Sequence, residues 1–385
     1  MFSFFWQQEP VGFFCEGMDR AKLPKLPELF SFSAETKTSS EQDIKRTRVW
    51  YDYSNLLVAR ENYFLSSDEL RERTIFDYTT GKSYVVFPDT YMCTRTSMAR
   101  DEFVFPQAEA VLWGAGKGNA YQKTGMRPCR SWDCAVYAGT DTSDGKPEKS
   151  KVANLYYAYG DDDTKNASLP VYMEVFDETQ SGKRVEERQI FDFRTNSSYL
   201  PAFDITPCYK PFETKLLRLQ VEGSGLVHPG KETLYKFAKV FKQRLLEVMS
   251  IAQPLRVTRV FVLPRGPSSA MAYATLLPEE KTDYTVVNDV TVDEALRKLN
   301  ASIRANGFTV HFNVDGNTPT VFQVRGLDSY APNKGASQGH SSGSMAALGI
   351  MMLLLGAGIA VAIVVVALRR YPKSSMTTIL LKEQA

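Results

Sequence analysis

The run Ile75-Phe-Asp-Tyr-Thr-Thr-Gly-Lys-Ser-Tyr84 recurs as Ile190-Phe-Asp-Phe-Arg-Thr-Asn-Ser-Ser-Tyr199, and Asp89 and Cys93 recur as Asp204 and Cys208, all at one offset of 115 residues. A constant offset over so many positions predicts two equivalent structural units. In each copy Phe76 and Tyr78, or Phe191 and Phe193, alternate with Asp77 or Asp192, and a turn at Thr80-Gly81 or Thr195-Asn196 follows before the chain rises again. The pattern predicts a hairpin with one aromatic face, and Gly81 and Asn196 both suit the left-handed backbone of its turn. Because an unpaired carboxylate inside an apolar cavity is costly, the aromatic side is expected to face inward. Phe76, Tyr78, Phe191 and Phe193 are therefore candidate ligand-facing residues. The alternating Val49, Tyr51 and Tyr53 are candidates for the same wall, with Trp50 on the opposite face.

Residues 30–35, 48–54, 155–159 and 171–176 also read as strands, separated by polar turns and with no amphipathic helix among them. A large antiparallel sheet, curled or closed to hide its edges, is the economical architecture. The 385 residues are 43% hydrophobic and 12% aromatic, which suffices for two packed cores and excludes wholesale disorder. Lys and Arg number 46 against 44 Asp and Glu, a balance too even for a nucleic-acid partner. His228, His311 and His340 lie far apart, so no catalytic, metal or cofactor residue is assigned and an enzyme is not expected.

After Cys208 the pattern changes. Residues 216–222 read as a strand, and residues 231–252 as a helix with Leu234, Phe237, Phe241, Leu245 and Val248 on one stripe. Residues 256–263 and 270–277 follow as strands. A second helix starts at a capping box, Thr291 with Glu294, buries Val292, Leu296, Leu299 and Ile303, and ends near Gly307 before a strand at residues 308–313. The order β-α-β-β-α-β is ferredoxin-like.

Residues 345–368 hold no charged side chain, and 24 helical residues reach about 36 Å, the length of a transmembrane helix. Arg369, Arg370 and Lys373 follow directly, which puts residues 369–385 in the cytosol and the body outside the cell or in a lumen. A signal peptide is then expected upstream of Met1, since residues 1–16 lack a basic start; a tail-anchored protein with a cytosolic body is the competing topology. Sequons at Asn166, Asn196 and Asn300 agree with the outside placement. So do five cysteines, Cys15, Cys93, Cys129, Cys134 and Cys208, all in the body as disulfide candidates. Sequence leaves their pairing open, with a preference for Cys93 with Cys134 and Cys15 with Cys208, the latter closing a long loop. Gly356, Gly358, Ala360 and Ala362 present small residues four apart, a face for homodimerisation within the membrane.

Some motifs imitate chemistry. Gly339-His-Ser-Ser-Gly343 has the letters of a nucleophile elbow but sits in a Gly- and Ser-rich stalk, and Gly114-Ala-Gly-Lys-Gly118 lacks the Ser or Thr a phosphate loop needs after its Lys. Asp161, Asp162 and Asp163 lack the alternating spacing of a calcium loop.

The run Leu23-Pro-Lys-Leu-Pro-Glu-Leu-Phe-Ser-Phe-Ser-Ala-Glu35, the strand Val49-Trp-Tyr-Asp-Tyr53, the Asp77–Tyr84 hairpin ending at Cys93, and Phe203-Asp-Ile-Thr-Pro-Cys-Tyr209 resemble the LolA-like domains of animal surface and secreted proteins. They are more distantly similar to ependymin-related proteins. The resemblance implies an incomplete β-barrel around a hydrophobic cavity, which carries lipid in the bacterial namesake. Residues 213–328 resemble a SEA domain, in an uncleaved form because Gly266 is followed by Pro267, and Ser269 by Ala270 and Met271.

The expected fold is thus mainly β: an N-terminal segment (1–22), an incomplete antiparallel β-barrel (23–212), an α+β ferredoxin-like domain (213–328), a flexible stalk (329–344), one transmembrane helix (345–368) and a tail (369–385). The expected function is non-enzymatic, a single-pass surface protein binding a lipid, another hydrophobic ligand or an extracellular protein partner in a receptor or adhesion role. A structural scaffold with a self-filled barrel is the alternative.

Overall fold

The structure, a computed structural model, describes residues 21–39, 44–63, 69–100, 102–114, 121–130, 132–141, 151–159, 168–177, 182–195, 200–223, 230–266, 268–280, 289–313 and 319–330. The first sheet contains β1 (Leu29–Thr38), β2 (Ile44–Asp52), β3 (Leu57–Tyr63), β4 (Leu70–Asp77), β5 (Lys82–Phe87), β6 (Met92–Ser97), β7 (Tyr121–Cys129), β8 (Trp132–Asp141), β9 (Lys151–Tyr159), β10 (Ser168–Asp177) and β11 (Lys183–Thr195). Their order is β6-β5-β4-β3-β2-β1-β11-β10-β9-β8-β7, antiparallel throughout, so each half runs outward from a central β1–β11 pair. β6 and β7 are the two open edges, and the chain between them must cross the sheet.

That crossing carries α1 (Ala108–Trp113). Eleven strands laid flat would extend about 50 Å, whereas a six-residue helix is only about 9 Å long. The crossing segment nevertheless contacts both halves: Phe105 lies 5.2 Å from Tyr51 and 5.1 Å from Tyr78, while Trp113 lies 5.6 Å from Tyr157. The sheet therefore curls around it. Sequence periodicity missed α1 because fewer than two turns show no repeat. Gly114, at φ 70°, ends the helix, so that part of the apparent phosphate-loop motif is a helix cap.

The repeat is real in sequence but unequal in structure. Ile75–Tyr84 forms the expected β4–β5 hairpin, with Gly81 at φ 69°. In the second copy β11 is followed by a 3₁₀ turn at Leu200–Phe203 where a return strand was expected. β11 also carries one extra residue against β1, between the pairs Ser31–Arg194 and Ser33–Phe191, with Asp192 at φ 48°. This bulge puts Ile190 and Phe193 on one face and turns Phe191 to the other.

The second sheet has five strands, β12 (Lys215–Glu222), β13 (Val257–Gly266), β14 (Ser269–Leu276), β15 (Thr309–Asn313) and β16 (Pro319–Tyr330), in the order β13-β14-β12-β16-β15. α2 (Lys231–Met249) and α3 (Val292–Arg304) supply Phe237, Phe241, Leu245, Leu299 and Ile303 to its core. The Thr291 side chain accepts a hydrogen bond from Glu294 N at 3.3 Å, as the capping box predicts. The four-stranded ferredoxin-like arrangement is corrected by β16, which takes the place beside β12 and leaves β15 at the edge.

Both sheets belong to one compact unit, Met1–Ala331. The outer face of β2–β5, with Trp50, Leu57, Ile75 and Tyr84, is covered by Phe203, Ile205 and Tyr209 of the connector and by Leu255 and Leu277. Asp77 is thus buried too, its carboxylate accepting bonds from Thr79 and Thr80, so a carboxylate did not mark the solvent side of β4. Glu280 clamps the junction, accepting hydrogen bonds from Lys82, Arg95 and Tyr209. Burial opposes its ionisation, but the hydrogen bonds from Lys82 and Tyr209 and the charges of Lys82 and Arg95 outweigh it and hold the carboxyl below the ordinary glutamate value. A depressed folded-state value adds stability that is present above the unfolded value of 4.5 and lost as pH falls through the folded one. Glu280→Gln should cost about 2 kcal/mol at pH 7 and flatten the acid limb of a urea-midpoint-versus-pH curve. Parallel limbs in wild type and variant would remove the clamp from the account.

The cysteine pairing differs from expectation. Cys93 joins Cys208 and Cys129 joins Cys134, with Cα–Cα distances of 4.8 and 5.8 Å; both preferred pairings are overturned, and Cys15 lies outside the described residues. Cys93 and Cys208 are repeat equivalents brought together where the connector crosses the edge of the first sheet. The expected fold class is also corrected: among the described residues no helix is long and apolar enough to cross a membrane. The longest of those helices, α2, carries Lys236, Lys239, Lys242 and Arg244. The stalk expected from residue 329 is corrected at its start, since Ser329 and Tyr330 pair with β12 as the end of β16. Residues 345–368 lie outside the described residues, as do residues 331–344, the tail, the dimer positions Gly356, Gly358, Ala360 and Ala362, and the sequons at Asn166 and Asn196. Asn300 is exposed on α3.

Candidate functional site

The inner face of the curled sheet carries a continuous apolar cluster. Alternation on β1 aims Phe30 and Phe32 inward, and Phe30 stacks on Tyr51 of β2 at 4.9 Å and on Phe193 of β11 at 5.5 Å. From the opposite half, Tyr137, Leu155 and Tyr157 complete the cluster, with Leu112 and Trp113 of α1 between the halves. Trp113 Nε1 donates to Tyr157 Oη at 2.9 Å, and Tyr51 Oη donates to Pro106 O at 3.2 Å, so the buried phenols hold the crossing segment down. Burial, with help from Glu109, pushes the Tyr51 phenol up to about 12, and burial raises Tyr157 as well. These phenols stay neutral at physiological pH and add no charge to the wall. Arg188 borders it: desolvated by burial, it donates to the Leu112 carbonyl at 2.9 Å and to Glu186 at 3.1 Å.

Of the seven ligand-facing candidates, the structure brings five to this face. Val49 and Tyr51 are buried in it, and Phe76, Tyr78 and Phe193 are half-buried along its margin. Tyr53 is 51% exposed beyond the end of β2, its ring edge-on to Phe105 at 5.7 Å. Phe191 lies on the other face beneath the Arg130 guanidinium, 4.4 Å from its ring centre. Sequence reading missed Phe30 and Phe32, whose alternation was visible, and Phe105 and Trp113, which no local pattern marks. Among the described residues no cluster of His, Cys, Asp or Glu could hold a metal ion.

A family model of the metazoan second LolA-like domain matches residues 10–209, the stretch that includes all eleven strands of the first sheet. The chain belongs to this family. The LolA-like match ends at Tyr209, before β12, and no comparison supports the SEA or ependymin resemblances. No curated protein is similar to the chain. Among solved structures, an uncharacterized conserved protein from Thermus thermophilus is similar at 12% identity, covering 46% of this chain and 85% of its own, with a TM-score of 0.30. LprF from Mycobacterium bovis is similar at 8% identity, covering 44% and 88%, with a TM-score of 0.29. Likenesses this distant carry no argument about a ligand.

Proposed function

We propose that the LolA-like domain binds a lipid or another hydrophobic ligand on the inner face of its curled sheet, and that the chain works as a non-enzymatic carrier or receptor whose body lies outside the cell or in a lumen. The single observation behind the ligand is the margin of half-buried aromatic residues, Phe76, Tyr78 and Phe193, set around a face on which the crossing segment packs with Phe105. Displacing that segment would present a continuous apolar wall, the usual lining of a small-molecule site. Two disulfides support an oxidising compartment.

The full burial of Phe30, Leu112, Leu155 and Tyr157 by the chain itself favours the second reading, a structural module with a self-filled sheet. Native mass spectrometry of protein secreted from cells distinguishes them: a carrier co-purifies with lipid. Phe193→Ala should cost about 1–2 kcal/mol of stability, less than the roughly 3–5 kcal/mol of a fully buried phenylalanine, and should weaken uptake of a fluorescent fatty acid. Absence of both bound lipid and probe uptake in the wild type leaves the structural reading.

A further inference from the structure

On the outer side of the same sheet, a cavity of about 690 Å³ opens between the β2–β3 turn, the 3₁₀ turn Leu200–Phe203, α2 and β15. Its size lies within the range of small-molecule sites, and junctions between packed units are where such sites gather. One wall is apolar, with Leu57, Phe203 and Leu246. The polar groups are unevenly matched. Asp52 is engaged by the backbone N–H of Asn55 at 3.1 Å and its side-chain amide at 2.7 Å, and Arg244 pairs with Glu247 at 2.9 Å and donates to the Thr309 carbonyl at 3.2 Å. Lys239 and Lys242 also line the cavity, and neither has an ion-pair partner among the described residues.

Lys242 is the informative one. It follows Phe241, which is fully buried in the second core, and lines the cavity from α2. Burial pushes it down to about 8, while the more distant charges of Asp52 and Asp204 pull the other way. Half-buried in the cavity wall with no carboxylate at ion-pair distance among the described residues, the ammonium lacks a close counter-ion, which an incoming anion would supply.

We propose that this cavity binds an organic monoanion with an apolar body, the anionic group held by Lys242 and Lys239 and the body lying along Leu57, Phe203 and Leu246. The site is independent of the inner-face reading, because it lies on the opposite side of the sheet.

Titration calorimetry of the full chain with decanoate, decanol and acetate tests it. Decanoate should bind, with decanol and acetate each at least tenfold weaker, since each lacks one of the two required features. Lys242→Met keeps the apolar stem, removes an unpartnered charge and so should fold; it should weaken decanoate at least tenfold. Lys242→Met should weaken decanoate by the same factor in a Phe193→Ala background, and this separates the cavity from the inner face, where a fatty acid would also bind. No binding of decanoate to the wild type, equal binding of decanol, undiminished binding by Lys242→Met, or a loss confined to Phe193→Ala would each overturn the proposal.

Discussion

Replacing Cys93 and Cys208 together by alanine should lower the unfolding free energy by about 4–5 kcal/mol, the largest single loss expected in the first sheet. The bond joins residues 115 apart, and a cross-link restricts the unfolded chain more as the loop it closes lengthens. It also fastens β6, an open edge of the sheet, to the connector whose Ile205 and Tyr209 cover the outer face. The Cys129–Cys134 bond spans only 5 residues of one hairpin, so its double alanine variant should lose about 2 kcal/mol on the same entropic argument. Urea unfolding of the two variants beside the wild type measures the difference. Equal losses would mean that loop closure is not what the long bond contributes.

Asp289→Ala should cost about 3–5 kcal/mol through the second core. Arg256 and Asp289 have side-chain exposures of only 2% and 1%, and Arg256 Nη1 meets Asp289 Oδ2 at 2.9 Å. The arginine also donates to the carbonyls of Leu277 at 3.1 Å and Val290 at 2.7 Å, while the carboxylate accepts from the backbone N–H groups of Ala252, Gln253 and Val290. Removing the carboxylate takes the close counter-ion from a buried guanidinium, leaving Glu279 at 3.9 Å, and takes the acceptor from the backbone N–H groups of Gln253 and Val290. Arg256→Met combined with Asp289→Ala should recover only part of the loss, because the charge disappears but the backbone donors stay without an acceptor. Chemical denaturation reads both variants; a loss below about 1 kcal/mol for Asp289→Ala would show that water reaches the site and solvates the arginine.

Much of the architecture is written locally. Strands expected at residues 30–35, 48–54, 155–159 and 171–176 fall within or across β1, β2, β9 and β10, because alternation is a property of neighbouring residues and needs no partner to be read. The same holds for α3, whose Thr291 cap and apolar stripe lie within a few turns of one another. β16 was equally readable, since Phe322 and Val324 alternate with exposed Val321 and Arg325; a complete-looking β-α-β-β-α-β pattern closed the count one strand early.

The candidate site divides along the same line. Alternation alone placed Val49 and Tyr51 together with Phe76 and Tyr78, and the LolA-like character of residues 10–209 was present in short motifs. Three things required the assembled fold. The bulge at Asp192 reverses the face of Phe191 through one extra residue at positive φ, a shift that has no compositional mark. α1 is helical because the crossing segment fills a groove, its six residues being too few to hold a helix alone. Cys93 finds Cys208 because the connector folds back across the sheet edge, a closure decided by packing over more than a hundred residues of chain. Period and composition act between near neighbours and are set by the sequence itself; register, face and pairing depend on which distant surfaces exclude water from one another, and only the tertiary structure decides that.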